Sequence, residues 1–270
     1  MPPTTICLIN QKGGCGKSST CFHLAGTFAQ QGFRVLLVDA DPQGSLSQGF
    51  LGSAFVENLP VESTLAALFD DTCGFVDFQS LLRSTEFDRI TIIPTNQHLA
   101  QYNMPVPENQ GLRQYAIREL LDSLPDFDIV LIDCPPNLYL CSWAAMVATD
   151  YVVIPVPPED FGTQGLRTVH QAVENVRKLN PDIRRLGHLV TRYDSRLLVH
   201  QSYHEKLRTL YRDQVLATVV SEASAFKVSL ACRKPVANYS PRSPAAKQME
   251  QLSQELLERI ASRGARQHVA

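Results

Sequence analysis

Asn10-Gln11-Lys12-Gly13-Gly14-Cys15-Gly16-Lys17-Ser18-Ser19-Thr20 is the stretch that decides the fold. Ahead of it, Thr5–Asn10 is a short apolar, β-branched run that reads as a buried strand. After it, Lys17–Gln31 reads as a helix that Gly32 closes. Glycines between a strand and a helix let backbone N–H groups turn inward around an anion, and the helix N-terminus adds its positive end. In such a loop Lys17 reaches β- and γ-phosphates and the Ser18 hydroxyl binds Mg²⁺. The strict pattern GxxxxGK[ST] fails, because Gln11 stands where its first glycine belongs. What remains is KGGxGK[ST], with an additional lysine at position 12.

Working outward, further buried strands read at Arg34–Asp39, Arg89–Pro94, Asp128–Asp133, Tyr151–Pro155 and Leu186–Thr191. Helical spacing marks Gly111–Leu124, Phe161–Leu179, Val199–Tyr211 and Ala246–Ala261. In the first, Leu112, Tyr115, Ala116, Leu120 and Leu124 define the apolar face. Continuous apolar strands separated by helices predict an α/β fold, a mostly parallel twisted sheet with helices on both faces. Ligands of such sheets bind at the carboxyl ends of the strands. The loosest segment is 42–88, with short helices expected near Ser63–Phe69 and Phe78–Ser84. No repeat or long linker divides the chain, so residues 1–270 are expected to form a single domain around this phosphate loop.

The composition agrees. With 44% hydrophobic and 19% charged residues the chain can bury a core, which excludes disorder. No apolar run approaches the roughly 18 residues of a membrane span. Seven cysteines without a CxxC pair fit reduced thiols and a cytoplasmic protein. The net charge of −2 hides an asymmetry, about −10 over residues 1–183 against +8 over 184–270. A basic C-terminal third suits a polyanionic partner, although arginine-rich helix faces that balance acidic ones would give the same sum.

Acids follow where a phosphate loop needs them. Arg34–Asp41 reads RVLLVDAD and runs into Pro42-Gln43-Gly44. Two carboxylates two apart at a strand end point the same way while the chain stays extended. There they hold a magnesium ion through water or orient the attacking water. Asp133 ends DIVLID before Cys134-Pro135-Pro136, the expected position of a magnesium-network aspartate. The plainer alternatives are a turn built by Asp and Pro at 41–42 and a helix cap at Asp133.

Asn10–Gly14 followed by Gly16-Lys17 resembles the deviant Walker A box of the ParA/Soj/MinD superfamily of P-loop ATPases. The resemblance implies that ATP and Mg²⁺ are cofactors, bound by Lys12, Gly13, Gly14, Cys15, Gly16, Lys17, Ser18 and Ser19. It makes Lys12 the residue that crosses to the partner's nucleotide in an ATP-sandwich homodimer, where a second cation stabilises the transferred phosphoryl group. DxDPQG is similar to the switch I box of the ParA branch, which makes Asp41 the water-positioning residue and puts Asp39, Ser18 and Asp133 in the magnesium network. DCPP resembles its Walker B and switch II, with Asn137 where serine is usual. The likeness continues through Ile93–Ala100, through Val153–Val156 to Glu159 and Gly165-Leu166, and through Leu189–Arg196. Lys234-Pro235-Val236 to Ser240–Ser243 resembles the segment that completes the adenine site, which implicates Arg192, Pro235 and Pro241. The short, Soj-like form is the one matched.

By that resemblance the ATP-bound dimer binds double-stranded DNA without sequence preference, and a ParB-like activator stimulates hydrolysis to segregate chromosome, plasmid or other cargo. The protein is then nucleoid-associated when ATP-bound, without stable membrane insertion. One departure matters: Ser221–Lys227 replaces a basic stretch, with Glu222 and Ala225 where arginines are expected. The remaining candidates for DNA contact are Lys227, Arg233, Lys234, Arg242, Lys247, Arg259, Arg263 and Arg266. Cys15, where valine is usual, should make nucleotide binding sensitive to thiol reagents.

Two alternatives stay open. A MinD-like membrane switch needs a basic amphipathic terminal helix, whereas helix 246–261 carries Glu250, Glu255 and Glu258 opposite Met249, Leu252 and Leu256. A small-substrate phosphorylating enzyme of the same superfamily, such as a biotin-pathway synthetase, is disfavoured by DxDPQG and DCPP. An iron–sulfur ATPase would need a second cysteine near 95–105, and none is there.

Overall fold

The computed structural model describes residues 3–124, 126–158 and 163–265. In chain order the elements are β1 (Thr4–Leu8), α1 (Lys17–Gln30), β2 (Val35–Asp39), α2 (Ser45–Leu51), α3 (Ser53–Glu57), β3 (Arg83–Ser84), β4 (Ile90–Ile93), α4 (Ala116–Asp122) and β5 (Ile129–Asp133). Then come α5 (Leu140–Ala148), β6 (Tyr151–Val156), α6 (Thr163–Val176), β7 (Arg184–Tyr193), α7 (Leu198–Tyr211), β8 (Val215–Ser221), α8 (Ser224–Ala231), α9 (Val236–Tyr239) and α10 (Pro244–Ala265). The strands form one sheet in the order β3-β4-β2-β5-β1-β6-β7-β8. Every pairing is parallel except β3 with β4. This is the predicted α/β architecture.

Alternation along the central strands builds the two faces. Ile6 and Leu8 of β1, with Val35 and Leu37 of β2, pack under α1 and α10. Cys7 and Ile9, with Leu36 and Val38, pack under α4, α5 and α6. Full burial of each such aliphatic side chain contributes about 1.5–3 kcal/mol. Helix α1 ends as its sequence indicates. Gly32 takes φ 95°, its N–H donates to the Ala29 carbonyl, and the Phe33 N–H reaches back to Phe28 O at 3.1 Å. The rings of Phe28 and Phe33 meet edge to face at 5.9 Å and seal that turn.

Several expectations are corrected. An eighth strand, β8, extends the sheet where none was expected; its pairing with β7 is irregular, and Ala217 is exposed while Val215 and Leu216 are buried. Helix α5 fills the gap between DIVLID and YVVIP, where no helix was bounded; it is buried from Leu140 to Val147 and so shows no amphipathic period. The expected helix 111–124 is a 3-10 turn over Gly111–Tyr115 followed by α4. Leu112 is 81% exposed and belongs to no core face. Segment 42–88 holds α2, α3 and 3-10 turns including Leu65–Leu68 and Phe78–Leu81, the last leading into β3.

Candidate active site

The parallel register brings the acids together. Asp39 at the end of β2 lies beside Asp133 at the end of β5, and Asp133 in turn lies beside Leu8, where β1 hands over to the glycine loop. Both carboxylates are fully buried, and burial favours the neutral, protonated form of each. Burial pushes Asp39 up to about 7, against the hydrogen bonds it accepts from Ser47. Burial, then the neighbouring Asp39, pushes Asp133 well above the usual carboxylate range; the Ser18 hydroxyl is near enough to oppose this.

The two acids are used differently. Asp39 Oδ2 accepts from the Ser47 N–H at 2.8 Å and from Ser47 Oγ at 2.6 Å, while Oδ1 accepts the Asp41 N–H at 3.2 Å. Ser47 Oγ in turn accepts the Thr95 N–H at 3.0 Å. Asp39 is thereby committed to fastening α2 and the loop after β4. Gly44 makes this possible: its φ is 62°, and a Cβ there would lie 2.7 Å from the Thr95 carbonyl oxygen. Both carboxylate oxygens of Asp133, by contrast, are buried without a hydrogen-bond partner. An orphaned buried carboxylate beside Ser18 is the chemistry a divalent cation or its water shell satisfies. Among the described residues no group of three or more His, Cys, Asp or Glu forms a metal cage. The donors present therefore suit an ion that keeps waters and substrate phosphates, as Mg²⁺ does.

The glycine loop is open and prepared. Gly14 and Gly16 take φ of 70° and 90°, and no atom lies within 4 Å of where a Cβ of Gly13 would sit. Lys17, 6% exposed, donates from Nζ to the Lys12 carbonyl at 3.3 Å. Asn10 fixes the loop's root, donating to Pro155 O at 2.7 Å and accepting the Lys12 N–H at 3.1 Å. Thr191 Oγ1 donates to the Cys15 carbonyl at 2.7 Å, so the end of β7 holds the loop from the other side. Asp41 is 8% exposed and accepts the Gln43 N–H at 3.0 Å. Burial raises its affinity for a proton, opposed by Gln43 and Lys17.

Gly13–Thr20, Asp41, Gln43 and Pro136 line a cavity of about 540 Å³. Arg192, Val220–Ala223, Phe226, Lys227, Leu230 and Met249 line it as well, with His23 in the wall. Here the sequence reading needs correction. Arg192 lines the cavity, in the left-handed region at φ 53°, and donates to Gly14 O at 3.3 Å and to Glu222 at 3.1 Å. Pro235 and Pro241 do not line it. Pro235 packs instead on Gly26 of α1, and Pro241 is exposed. Lys227, expected on a DNA surface, pairs with Glu222 at the cavity mouth. Arg259 is also withdrawn from that surface, bonded to Glu255 and to the carbonyls of Leu186, Asp213 and Val215. Arg233, Lys234, Arg242 and Lys247 are exposed; the side chain of Arg263, and Arg266 and Glu159, lie outside the described residues. Cys15 is fully buried and its thiol is pushed up by that burial, which argues against the expected thiol sensitivity.

Ser47, Thr191, Glu222 and His23 escaped the sequence reading of the nucleotide site. Ser47 lies eight residues beyond Asp39, and the others arrive through tertiary packing, so no local spacing marks them. No helix among the described residues is long and apolar enough to cross a membrane.

An AAA domain family model matches residues 3–185. The chain is 30% identical to the chromosome partitioning protein ParA of Myxococcus xanthus over 98% of its length and 92% of that protein's. It is 32% identical to the sporulation initiation inhibitor protein Soj of Bacillus subtilis, covering 93% and 97% of the two. A crystal structure of cobyrinic acid a,c-diamide synthase from Mycobacterium smegmatis with bound ATP analog and magnesium superposes with TM-score 0.79, at 27% identity and 96% coverage of both chains. The cell division ATPase MinD of Pyrococcus furiosus, 22% identical with TM-score 0.73 over 96% of this chain and 99% of its own, shares the fold.

Proposed function

Because this chain belongs to the ParA/Soj family of AAA-domain ATPases, we propose that it is an ATP-dependent partitioning ATPase. In this reading it binds ATP with Mg²⁺, closes into a homodimer, binds DNA without sequence preference, and hydrolyses ATP to ADP and phosphate when a ParB-like partner stimulates it. The observation that carries the reading is the convergence of the glycine loop, Lys17, Ser18 and Asp41 on one cavity large enough for a nucleotide, with the unpartnered Asp133 buried beside Ser18.

Lys17 and the loop N–H groups would hold the β- and γ-phosphates, with the Lys17 ammonium exchanging the Lys12 carbonyl for phosphate oxygen. Lys12, half-buried at the start of the glycine loop, would offer its cation to the partner's nucleotide. Ser18 and Asp133 would hold Mg²⁺, which supplies charge neutralisation on the phosphates. Asp41 would orient the attacking water and receive its proton, and its raised proton affinity suits that role. Asp39, already spent on Ser47, would act by keeping α2 and Asp41 in position.

The DNA surface in this reading is the exposed set Arg233, Lys234, Arg242 and Lys247 around α9 and the start of α10. The MinD-like alternative is weakened because Met249, Leu252 and Leu256 of α10 are fully buried against the sheet and unavailable to lipid. Binding of labelled duplex DNA at moderate salt, with ATP or ADP, to wild type and Asp41→Ala tests the reading. It expects affinity only with ATP, increased in Asp41→Ala because hydrolysis no longer resets the dimer. Equal or absent binding in every nucleotide state would reject it, and a burst of ADP dependent on a small substrate would favour the phosphorylating enzyme.

A further inference from the structure

His23 is the buried group that phosphate chemistry leaves unused. It stands on α1 six residues beyond Lys17, about 9 Å further along the helix at 1.5 Å per residue. It is 1% exposed and lines the same cavity as Lys17. Its Nδ1 accepts the Val236 N–H at 3.1 Å. The proton of the neutral ring is therefore on Nε2, as a donor. That Nε2 is buried without a hydrogen-bond partner. Burial drives the imidazole down to about 3, opposed by the nearby Phe226 carbonyl, which stops short of hydrogen-bond geometry with Nε2. The ring is thus neutral throughout the physiological range, held edge-on to Phe22 at 5.2 Å and tilted against Phe226 at 4.9 Å. It cannot turn to find a partner without giving up Val236.

The wall around it describes what would satisfy it. Val220, Phe226, Leu230 and Met249 supply apolar lining to the cavity that His23 shares, beside Ser221 and the ion-paired Arg192, Glu222 and Lys227. A group that fits is flat and largely apolar and carries a hydrogen-bond acceptor at its edge. A nucleotide whose β- and γ-phosphates sit at Lys17 brings such a group along, because the α-phosphate and ribose span the intervening length.

We propose that His23 reads the base of the bound nucleotide, its Nε2–H donating to one ring nitrogen of the purine while Phe226 packs against the ring. The assignment rests on the ATP reading given above. His23 is then a specificity residue, and it ties base occupancy to α9, because the same imidazole holds Val236.

The test pairs a ligand deletion with a side-chain deletion. ATP and its 1-deaza, 3-deaza and 7-deaza analogues, each with one ring nitrogen replaced by C–H, are titrated against wild type and His23→Asn by displacement of a fluorescent ADP. Asparagine keeps an acceptor for the Val236 N–H and lacks the distal donor. One neutral hydrogen bond at a buried site corresponds to a loss of about five- to tenfold in affinity. Wild type is expected to bind one of the three analogues that much more weakly than ATP. His23→Asn is expected to bind ATP with the same loss and to stop distinguishing that analogue. Three analogues binding wild type within about twofold of ATP would overturn the proposal, as would a discrimination that His23→Asn retains. Should the variant fail to fold, uniform binding of the three analogues by wild type still overturns the proposal. If wild type binds no ATP at all, the nucleotide reading fails as well; ATP binding with no analogue effect removes only His23.

Discussion

Replacing Gly26 by alanine probes the joint between α1 and α9 that His23, in the cavity wall, helps to hold. A Cβ at position 26 would lie 2.2 Å from Pro235 Cβ, 2.9 Å from Pro235 Cγ and 3.0 Å from Asn238 Oδ1. The proline ring is buried and cannot rotate aside, so the backbone of 235–238 has to move outward. Overpacking of this kind costs about 1–3 kcal/mol. The same shift stretches the Val236 N–H bond to His23 and the 2.7 Å bond from Gln30 to the Ala237 carbonyl. Weakening them adds about 1 kcal/mol. Alanine returns about 1 kcal/mol of helix propensity over glycine. The balance is a loss of about 1–3 kcal/mol, read in urea as a lower midpoint at unchanged slope. Unchanged or raised stability would refute the reasoning, because it would mean that α9 gives way freely and that Gly26 is not a close-approach site.

Two further outcomes follow from burial. Under native conditions a maleimide should label the exposed Cys232 first and leave Cys15 unmodified, as read by peptide mass mapping; rapid labelling of Cys15 would contradict its shielded, high-pKa environment. Asp39, raised to about 7 from 3.8, keeps a proton in the folded chain that the unfolded chain loses near pH 4. Its contribution is fully present below pH 4 and is lost as pH rises through 7. In nucleotide- and magnesium-free buffer, the stability advantage of wild type over Asp39→Asn should therefore shrink from pH 5 to pH 8; a gap independent of pH would contradict the assignment.

Much of this was legible in the sequence because the relevant physics is local. The glycine loop, Lys12, Lys17 and the strand-end acids are short-range patterns between buried strands, and register alone aligns Asp39 with Asp133. What was not legible depends on partners distant in sequence. Strand β8 lacks a clean alternation because its pairing with β7 slips. Helix α5 lacks an amphipathic period because almost all of it is buried. Pro235 resembled a base-site residue by motif, yet its position is set by a glycine 209 residues earlier. Lys227 is an exposed cation as read, but nothing in the local sequence says that it shares Glu222 with Arg192.

In the proposed cycle ATP closes two copies of this chain around Lys12. Light scattering of Asp41→Ala, with and without ATP and Mg²⁺, and of the same variant carrying Lys12→Ala, tests it most directly. Twice the chain's mass is expected only for Asp41→Ala with ATP and Mg²⁺, reverting to a single chain when Lys12 is also removed. A single-chain mass in every state, or an ATP-dependent dimer indifferent to Lys12→Ala, would contradict it.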